Sequence, residues 1–391
     1  MPGTIPIELS CTAAQAAAFR LARHHLSGPA ETGRTGAPGA SRASLVVDVC
    51  RDSGGIQAQI MSAAELAVWA RRGAATRDEI QTALWERRDI VKTSAMRLTL
   101  HLIPARDLSI FVAAMKPTSA ATLQRWQARV GARPDHVRAM IAAIVETLSD
   151  GPRTQQELIA RARKTAGRGV RAWLDHAWSA VRPAVIEGLI VYGPPRGAET
   201  TFVRADTWLP AQPAVDVADA RAELLRRFLA AFGPADARDF SKWSGMKTSD
   251  AKIVADSLRD EIVQVSVDGT TGWIRIADTE ALMHSTLDEN AVRLLGAFDS
   301  LLLAHATKEH LVATKDYKRV YRPQGWISPV VLRGGTIAGV WFPRTSAQLM
   351  TLDVELFGRV TPALRLGIER EAAAMSRFLG VRCEPTFSSS P

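Results

Sequence analysis

Cysteine is scarce in this chain, and its few positions exclude two common kinds of stabilising site. The 391 residues include three cysteines, Cys11, Cys50 and Cys383, which are far apart and form no CxxC pair. A dispersed, odd-numbered set predicts neither a disulfide framework nor a zinc site. His305 and His310 are five residues apart, which does not place them on one face of a helix, and no acid completes a site. We therefore predict no bound metal.

Long apolar runs and the common phosphate-binding loops are lacking as well. No stretch approaches the ~18 apolar residues of a transmembrane helix, and the N-terminus has no basic-then-apolar signal pattern. Walker-type loops, GxGxxG and GxSxG do not occur. These absences exclude the usual nucleotide-binding and serine-hydrolase patterns. We expect a cytoplasmic, nucleoid-associated protein that contacts no membrane and needs no cofactor.

Positive charge is in excess. The formal net charge is +9, the pI is about 9.9, and hydrophobic residues make up 47% of the chain. This composition is ordinary for a globular protein with a sizeable core, and the length suits two or three domains or one large composite fold. The charge favours a polyanionic partner, although basic composition alone does not identify nucleic acid.

Helix-start signals followed by an alternating segment predict a winged helix near the N-terminus. Ser62-Ala-Ala-Glu65 and Thr76-Arg-Asp-Glu79 are capping-box patterns, which predict helices ending at Gly73 and near Arg88. The alternating residues from Met96 to Ile103 then predict a wing strand that stops at Pro104. Helix, turn, helix and strand pair is the order of a winged helix.

The same order recurs twice. Thr154 begins a third capping box, a longer helix is predicted from about Val170 to Gly188, and Leu189–Tyr192 with Thr200–Val203 is predicted to form a strand pair. In the third unit, Asp268-Gly269 is a type I′ hairpin signal between two alternating strands. Tandem winged helices serve either nucleic-acid binding or protein-protein contact, so the fold alone leaves both open.

We therefore predict a mostly helical α+β fold with three tandem winged-helix units, each with a β-hairpin wing, and a C-terminal β-containing region. The predicted segments are residues 1–44, an N-terminal helix and flexible linker; 45–110, winged helix 1 with a catalytic loop; 111–210, winged helix 2; 211–280, winged helix 3; and 281–391, a β-hairpin region with a closing helix.

The most informative segment is Gln57-Ala-Gln59, set between the pair Gly54-Gly55 and the predicted helix start at Ser62. Together with Arg97-Leu-Thr-Leu-His-Leu-Ile-Pro104, it resembles the winged-helix DNA glycosylases that unhook interstrand crosslinks, the AlkZ/YcaQ type. The double glutamine resembles the AlkZ-like branch, since the YcaQ-like branch has an acid at the second position. The resemblance covers most of residues 45–380. It implies a curved assembly in which three winged helices surround a basic, concave DNA-binding surface wide enough for a duplex.

Gln57 and Gln59 are the predicted catalytic residues. Alkylation at N7 of guanine makes the base cationic and weakens its glycosidic bond, so an enzyme need only hold a water and stabilise an oxocarbenium-like sugar. An amide oxygen can accept from that water and face the cation with its dipole. Positions i and i+2 share a face only in extended backbone. On spacing alone, two loop glutamines that merely cap or bridge backbone are the favoured interpretation, and the resemblance reverses that order.

Two further groups are candidates for DNA contact. His101 and Arg97 are predicted on one face of the first wing strand. One interpretation is that both side chains contact phosphate. The other is that His101 is half-buried and hydrogen-bonded to backbone, while Arg97 is solvated. The second group lies in Lys315-Asp-Tyr-Lys-Arg-Val-Tyr-Arg322, whose aromatic residues suit base stacking. Its proposed contacts are Lys315, Lys318, Arg319 and Arg322. Such a charge run can also be simply a solvated face.

The resulting prediction is a monomeric, monofunctional DNA glycosylase that acts on duplex DNA carrying alkylated purines, either bulky adducts or interstrand crosslinks. The resemblance also implies a role in DNA repair and in self-resistance to an alkylating natural product. The alternative is a noncatalytic winged-helix DNA-binding protein, such as a transcriptional regulator. A regulator reads base edges with a recognition helix, but the second helix of unit one carries Asp78, Glu79 and Glu86, which are poorly suited to lie along phosphates.

Overall fold

A computed structural model of the chain describes residues 7–28, 42–71, 76–167, 170–171, 174, 178–346 and 348–389. Most of the predicted linker at 27–43 and several positions of the helix predicted from Val170 lie outside these residues. Within the described part of the chain, no helix is long and apolar enough to cross a membrane.

The described secondary structure alternates helices with short sheets, which confirms the α+β prediction. The α-helices are α1 (Ala13–Arg23), α2 (Arg42–Asp52), α3 (Met61–Arg71), α4 (Arg77–Gln81), α5 (Leu108–Val130), α6 (Pro134–Glu146), α7 (Gln155–Thr165), α8 (Trp178–Ile186), α9 (Ala205–Trp208), α10 (Val217–Phe232), α11 (Ala237–Ser244), α12 (Thr248–Ser257), α13 (Thr279–Met283), α14 (Ser300–Leu303), α15 (Tyr317–Val320) and α16 (Pro362–Leu379). The strands are β1 (Ile7–Cys11), β2 (Ile56–Gln57), β3 (Ile90–Ser94), β4 (Leu100–Pro104), β5 (Arg153–Thr154), β6 (Ile190–Arg196), β7 (Glu199–Arg204), β8 (Ile262–Val267), β9 (Thr270–Arg275), β10 (Val292–Leu295), β11 (Val330–Arg333), β12 (Thr336–Thr345), β13 (Leu349–Leu356) and β14 (Arg382–Ser389).

The chain forms two compact units. The larger unit contains Met1–Ile80 and Leu225–Pro391, and the smaller unit contains Gln81–Leu224. This division differs from the five predicted segments, whose boundaries stay a prediction.

Two sheets organise the larger unit. One has the order β1-β8-β9, and the other has the order β10-β11-β12-β13-β14. The five-stranded sheet covers a core that includes Leu294, Val331 and Trp341. A buried ion pair, Arg293 Nη1 to Glu371 Oε1 at 3.0 Å, fastens β10 to α16. The three-stranded sheet β1-β8-β9 packs on α1 through a smaller hydrophobic cluster.

The smaller unit contains the antiparallel pair β3–β4 and the sheet β5-β7-β6. Its main core joins α6, α7 and α8 to β6 and β7, with Met140, Leu158 and Phe202 among the buried residues. The β6–β7 pair is the second predicted wing. Asp268, at φ 45°, and Gly269, at φ 85°, form the turn of the third wing, β8–β9. Both predicted hairpins are therefore confirmed.

The capping predictions have mixed outcomes. Thr76 and Thr154 each accept from the backbone N–H three residues later, while the corresponding glutamate accepts from the threonine N–H. The prediction that Ser62 caps a helix is wrong. The helix begins at Met61, with Ala64 N–H bonded to Ile60 O, and the Glu65 carboxylate instead pairs with Arg77.

Some strands have no counterpart among the sequence predictions. β1 pairs in parallel with β8, and β14 follows α16 and pairs in parallel with β13, so the helix predicted to close the chain is succeeded by another strand. The predicted hairpin at Gly334-Gly335 is confirmed as the β11–β12 turn.

Candidate functional site

The Gln57–Gln59 segment begins where a helix is stopped by two glycines. Gly54 and Gly55 have φ of 64° and 98°, and the Gly55 N–H donates to Cys50 O at 2.8 Å to end α2. Such left-handed conformations cost little only for glycine. The chain consequently leaves α2 and becomes extended at β2, as the glycine pair predicts.

Exposure alternates along this segment. Ile56 is 1% exposed and Ala58 is 0% exposed, whereas Gln57 is half-buried and Gln59 is exposed. Alternation of this kind is typical of strand backbone, although the strand itself ends at Gln57 and Gln59 lies in the bend that follows. The predicted non-helical backbone is confirmed, and both glutamines are more exposed than Ala58, which lies between them.

A buried arginine fixes the entry to this segment. Arg71 Nη1 and Nη2 donate to the two Asp299 carboxylate oxygens at 2.7 and 2.8 Å, and Arg71 Nε donates to Ser53 Oγ at 3.0 Å. Both charged side chains are 0% exposed. Because the pair is bidentate and desolvated, it holds Ser53, and therefore the start of the glycine turn, in one geometry.

Gly54 is also held by an aromatic cluster. A β-carbon at this position would lie 2.9 Å from Trp243 Cζ2, and the Trp243 ring packs against Phe228, Phe232 and Phe240. The glycine turn thus sits directly on the indole, and the absence of a side chain permits this approach.

Substitution Gly54→Ala is expected to destabilise the larger unit by about 2 kcal/mol or more, because left-handed backbone costs an alanine about 1–2 kcal/mol before the indole is displaced. Urea unfolding would measure this. Gly380→Ala is the matched control, since Gly380 ends α16 at φ 69° with nothing within 4 Å of a β-carbon. Equal losses of unfolding free energy in the two variants would show that the contact with Trp243 does not contribute to stability.

The first wing places Arg97 and His101 differently from the sequence prediction. His101 is on β4 as predicted, but Arg97 lies in a turn between β3 and β4, with φ 57° at Arg97 and 54° at Leu98. The prediction that both share one strand face is therefore wrong. The turn nevertheless returns Arg97 to His101, with Arg97 Nη2 3.5 Å from His101 Nε2.

His101 is 2% exposed, which leaves little of its surface for phosphate. Its Nδ1 lies 2.9 Å from Thr99 O. A carbonyl only accepts, so Nδ1 carries the proton and Nε2 faces the Arg97 guanidinium as an acceptor. Burial, reinforced by the Arg97 charge, lowers the pKa of His101 to about 3. Burial also lowers the pKa of Arg97 to about 10, so this side chain stays cationic at neutral pH.

The low pKa of His101 predicts acid sensitivity. In the unfolded chain a histidine titrates near 6.5, so between pH 6.5 and 3 the unfolded state binds more protons and stability falls as pH falls. Moving from pH 7 to pH 5 is expected to cost about 2 kcal/mol through this residue. Denaturant unfolding of wild type and His101→Gln at both pH values would measure the difference. An identical pH dependence in the two proteins would contradict the assignment.

The basic segment at residues 315–322 exposes three of its cationic side chains to solvent and pairs a fourth with carboxylates. Lys315, Lys318 and Arg322 are exposed. Arg319 is half-buried, pairs with Asp316 at 2.9 Å and also contacts the Glu355 carboxylate. Three of the four predicted phosphate contacts in this segment are therefore presented to solvent, whereas the Arg319 charge is largely compensated.

Sequence reasoning missed the residues that support the candidate site. Trp243 and Asp299 are far from Gln57 in the sequence, and no local pattern marks Arg71 as an arginine that will be buried in a pair with an aspartate. Within the described ranges, no group of three histidine, cysteine, aspartate or glutamate side chains is placed to hold a metal.

Comparisons with known proteins agree on one family. The model of the family described as DNA glycosylase AlkZ-like matches residues 50–378. The chain is 30% identical over 343 residues to an interstrand DNA cross-link repair glycosylase from Streptomyces sahachiroi, covering 84% of this chain and 89% of the relative. It is also similar to the solved structure of Streptomyces sahachiroi DNA glycosylase AlkZ, with a TM-score of 0.82 and 25% identity, covering 98% of this chain and 100% of that one.

Proposed function

The chain belongs to the AlkZ-like DNA glycosylase family, and from this premise we propose that it hydrolyses the N-glycosidic bond of N7-alkylated purines in duplex DNA, including bulky adducts and interstrand crosslinks. Family membership makes it an enzyme that acts on DNA, which decides against a noncatalytic regulator. The lesion class, the residues that act on it and the biological role are the proposal.

Gln57 and Gln59 are proposed to act at the sugar. The observation that carries this assignment is that Gln57 and Gln59 are both more exposed than the buried Ala58 between them, in non-helical backbone directly after the glycine turn, where two amides two residues apart can address one reacting centre. One carboxamide oxygen would accept a hydrogen bond from the attacking water, and the other would face the positive charge that develops on the sugar. Departure of the cationic base leaves it neutral, so no general acid is required.

The neutral character of this pair limits the substrate. An amide neither gives up nor takes up a proton at pH 7, so it cannot protonate an ordinary, uncharged base to make that base a good leaving group. The neighbouring Glu65 carboxylate is buried and paired with Arg77 at 2.9 Å, which makes it a poor substitute base. Selectivity for labile, cationic purines therefore follows from the chemistry of the site.

The DNA contacts are proposed to combine the exposed cations Lys315, Lys318 and Arg322 with Arg97, and in smaller measure Arg319, whose charge is shared with two carboxylates. His101 is proposed to contribute by accepting from Arg97 and so orienting its guanidinium. Phosphate binding of this kind releases counterions, so affinity for duplex DNA should fall steeply as salt rises.

The biological role is proposed to be repair of alkylated DNA, including self-resistance to an alkylating natural product. The relative from Streptomyces sahachiroi is described as a cross-link repair glycosylase, which supports the repair part of this proposal.

Abasic-site formation tests the activity directly. Duplexes carrying one 7-methylguanine, one interstrand crosslink between N7 positions, or no lesion would be incubated with enzyme and scored by alkaline strand cleavage. We expect cleavage of the first two and none of the third. Cleavage of the lesion-free duplex at a comparable rate would contradict the selectivity argument, and failure on both damaged duplexes would refute the proposed lesion class.

A further inference from the structure

A tight, exposed turn follows the basic segment. Residues 322–326 are all exposed, and the turn is closed by Arg322 N–H donating to Trp326 O at 2.8 Å. Gln324 and Gly325 at its tip have φ of 61° and 77°. A non-glycine residue in this conformation costs energy that the surrounding structure must supply, and such positions cluster at functional sites.

Trp326 is the residue that this turn displays. Among the described residues, the large hydrophobic side chains left exposed include only two aromatic ones, Tyr317 and Trp326, each 42% exposed. The Phe298 ring meets the Trp326 ring edge-to-face, with centroids 5.1 Å apart and an interplanar angle of 78°. The indole is thus orientated by protein on one side while much of its surface faces solvent.

Phe298 is itself held in a strained position. Its φ is 58°, which is an outlier for a bulky aromatic residue, yet Phe298 is half-buried against the main core. Neighbours on both sides hold this conformation, because Gly296 lies so close to α3 that an added β-carbon would be 3.3 Å from Ala63 O and from Leu66 Cβ, and Asp299 is bound by Arg71. The backbone around Phe298 is therefore fixed rather than adaptable.

The same contacts connect this aromatic pair to the glutamine segment. Ala63 lies in the first turn of α3, which begins two residues after Gln59. Arg71, the partner of Asp299, also binds Ser53 just before the glycine turn. Phe298 consequently sits in a loop that contacts α3 directly and is linked to Ser53, before the glycine turn, only through Arg71.

We infer that Trp326, backed by Phe298, is a stacking residue that packs against a planar aromatic ring of the damaged duplex. This rests on the proposed function. The ring belongs either to a nucleobase at the lesion or to the adduct itself. Charge complementarity supports DNA as the occupant, because Lys315 and Lys318 precede the turn, Arg322 begins it, and all three side chains are exposed. Indole and base faces stack favourably without requiring a particular base sequence.

The test compares Trp326→Leu, which keeps an apolar packing partner for Phe298, with Trp326→Phe, which keeps an aromatic face. Leu366→Ala, at a 48% exposed position on α16, is the control for loss of an exposed apolar side chain. Two duplexes are used, one carrying 7-methylguanine and one carrying 7-benzylguanine. Base release gives kcat/KM, and fluorescence anisotropy gives affinity for the same lesions placed on a 2′-fluorinated sugar that resists hydrolysis.

Stacking of one base is expected to make Trp326→Leu about tenfold weaker, with Trp326→Phe recovering most of that loss. A loss on both lesions assigns the ring to a nucleobase, and a loss on 7-benzylguanine alone assigns it to the adduct. Unchanged affinity and kcat/KM on both lesions would overturn the inference. Failure of the wild-type enzyme to release either base would refute the proposed activity. Anisotropy would still decide the role of Trp326 in that case, because it measures binding and requires no hydrolysis.

Discussion

Replacing both Gln57 and Gln59 by alanine is expected to lower the rate of 7-methylguanine release roughly 100-fold or more, while affinity for the lesion duplex stays within about threefold. The reason is that the amides are proposed to act on the water and the developing sugar cation, which exist only along the reaction path. An interaction made mainly in the transition state affects kcat rather than binding.

Single-turnover base release and anisotropy binding would measure the two quantities separately. Gln264→Ala is a suitable control because Gln264 is also a half-buried strand glutamine of the larger unit, on β8. The two single variants should each lose most of the activity if the amides act as a unit. Full activity in the double variant would remove these residues from the mechanism while leaving the family assignment intact.

The second large effect is expected at the buried ion pair. Asp299→Ala leaves the Arg71 guanidinium desolvated and uncompensated, and breaking such a pair typically costs about 3–5 kcal/mol. Urea unfolding would measure the loss of stability. The double variant Arg71→Met with Asp299→Leu should be less destabilised than Asp299→Ala, because it leaves no unpaired charge in the core.

Glu261→Ala provides the comparison for an exposed pair. Arg226 Nε and Nη2 each lie 2.7 Å from a Glu261 oxygen, so the pair is bidentate like Arg71–Asp299 but remains in contact with solvent. Its loss should cost less than about 1 kcal/mol. Similar costs at Glu261 and Asp299 would mean that burial adds nothing to the second pair.

Local signals account for the part of the structure that the sequence predicts well. Thr76 and Thr154 cap helices because the side-chain and backbone partners are three residues apart, a relation visible in the sequence. The non-helical backbone at Gln57–Gln59 follows from the glycine pair before it.

The errors arise where a local pattern has a competing use. Ser62-x-x-Glu65 matches a capping box, but the helix has already begun and the glutamate is taken by Arg77. The alternation from Met96 to Ile103 continues through a turn made by two non-glycine residues, Arg97 and Leu98, whose left-handed conformation has no sequence signature. The Phe298–Trp326 pair and the Arg71–Asp299 pair depend on tertiary contacts alone.

The Arg71–Asp299 bond also sets an order of events during synthesis. Its partners are 228 positions apart, and the whole smaller unit, Gln81–Leu224, is made between them. That unit is a continuous segment and can fold as it leaves the ribosome. Arg71 is made earlier and has no counter-charge until Asp299 has been translated. The glutamine segment is consequently translated well before Asp299, and the ion pair that fixes the entry to this segment can form only after Asp299 has been made.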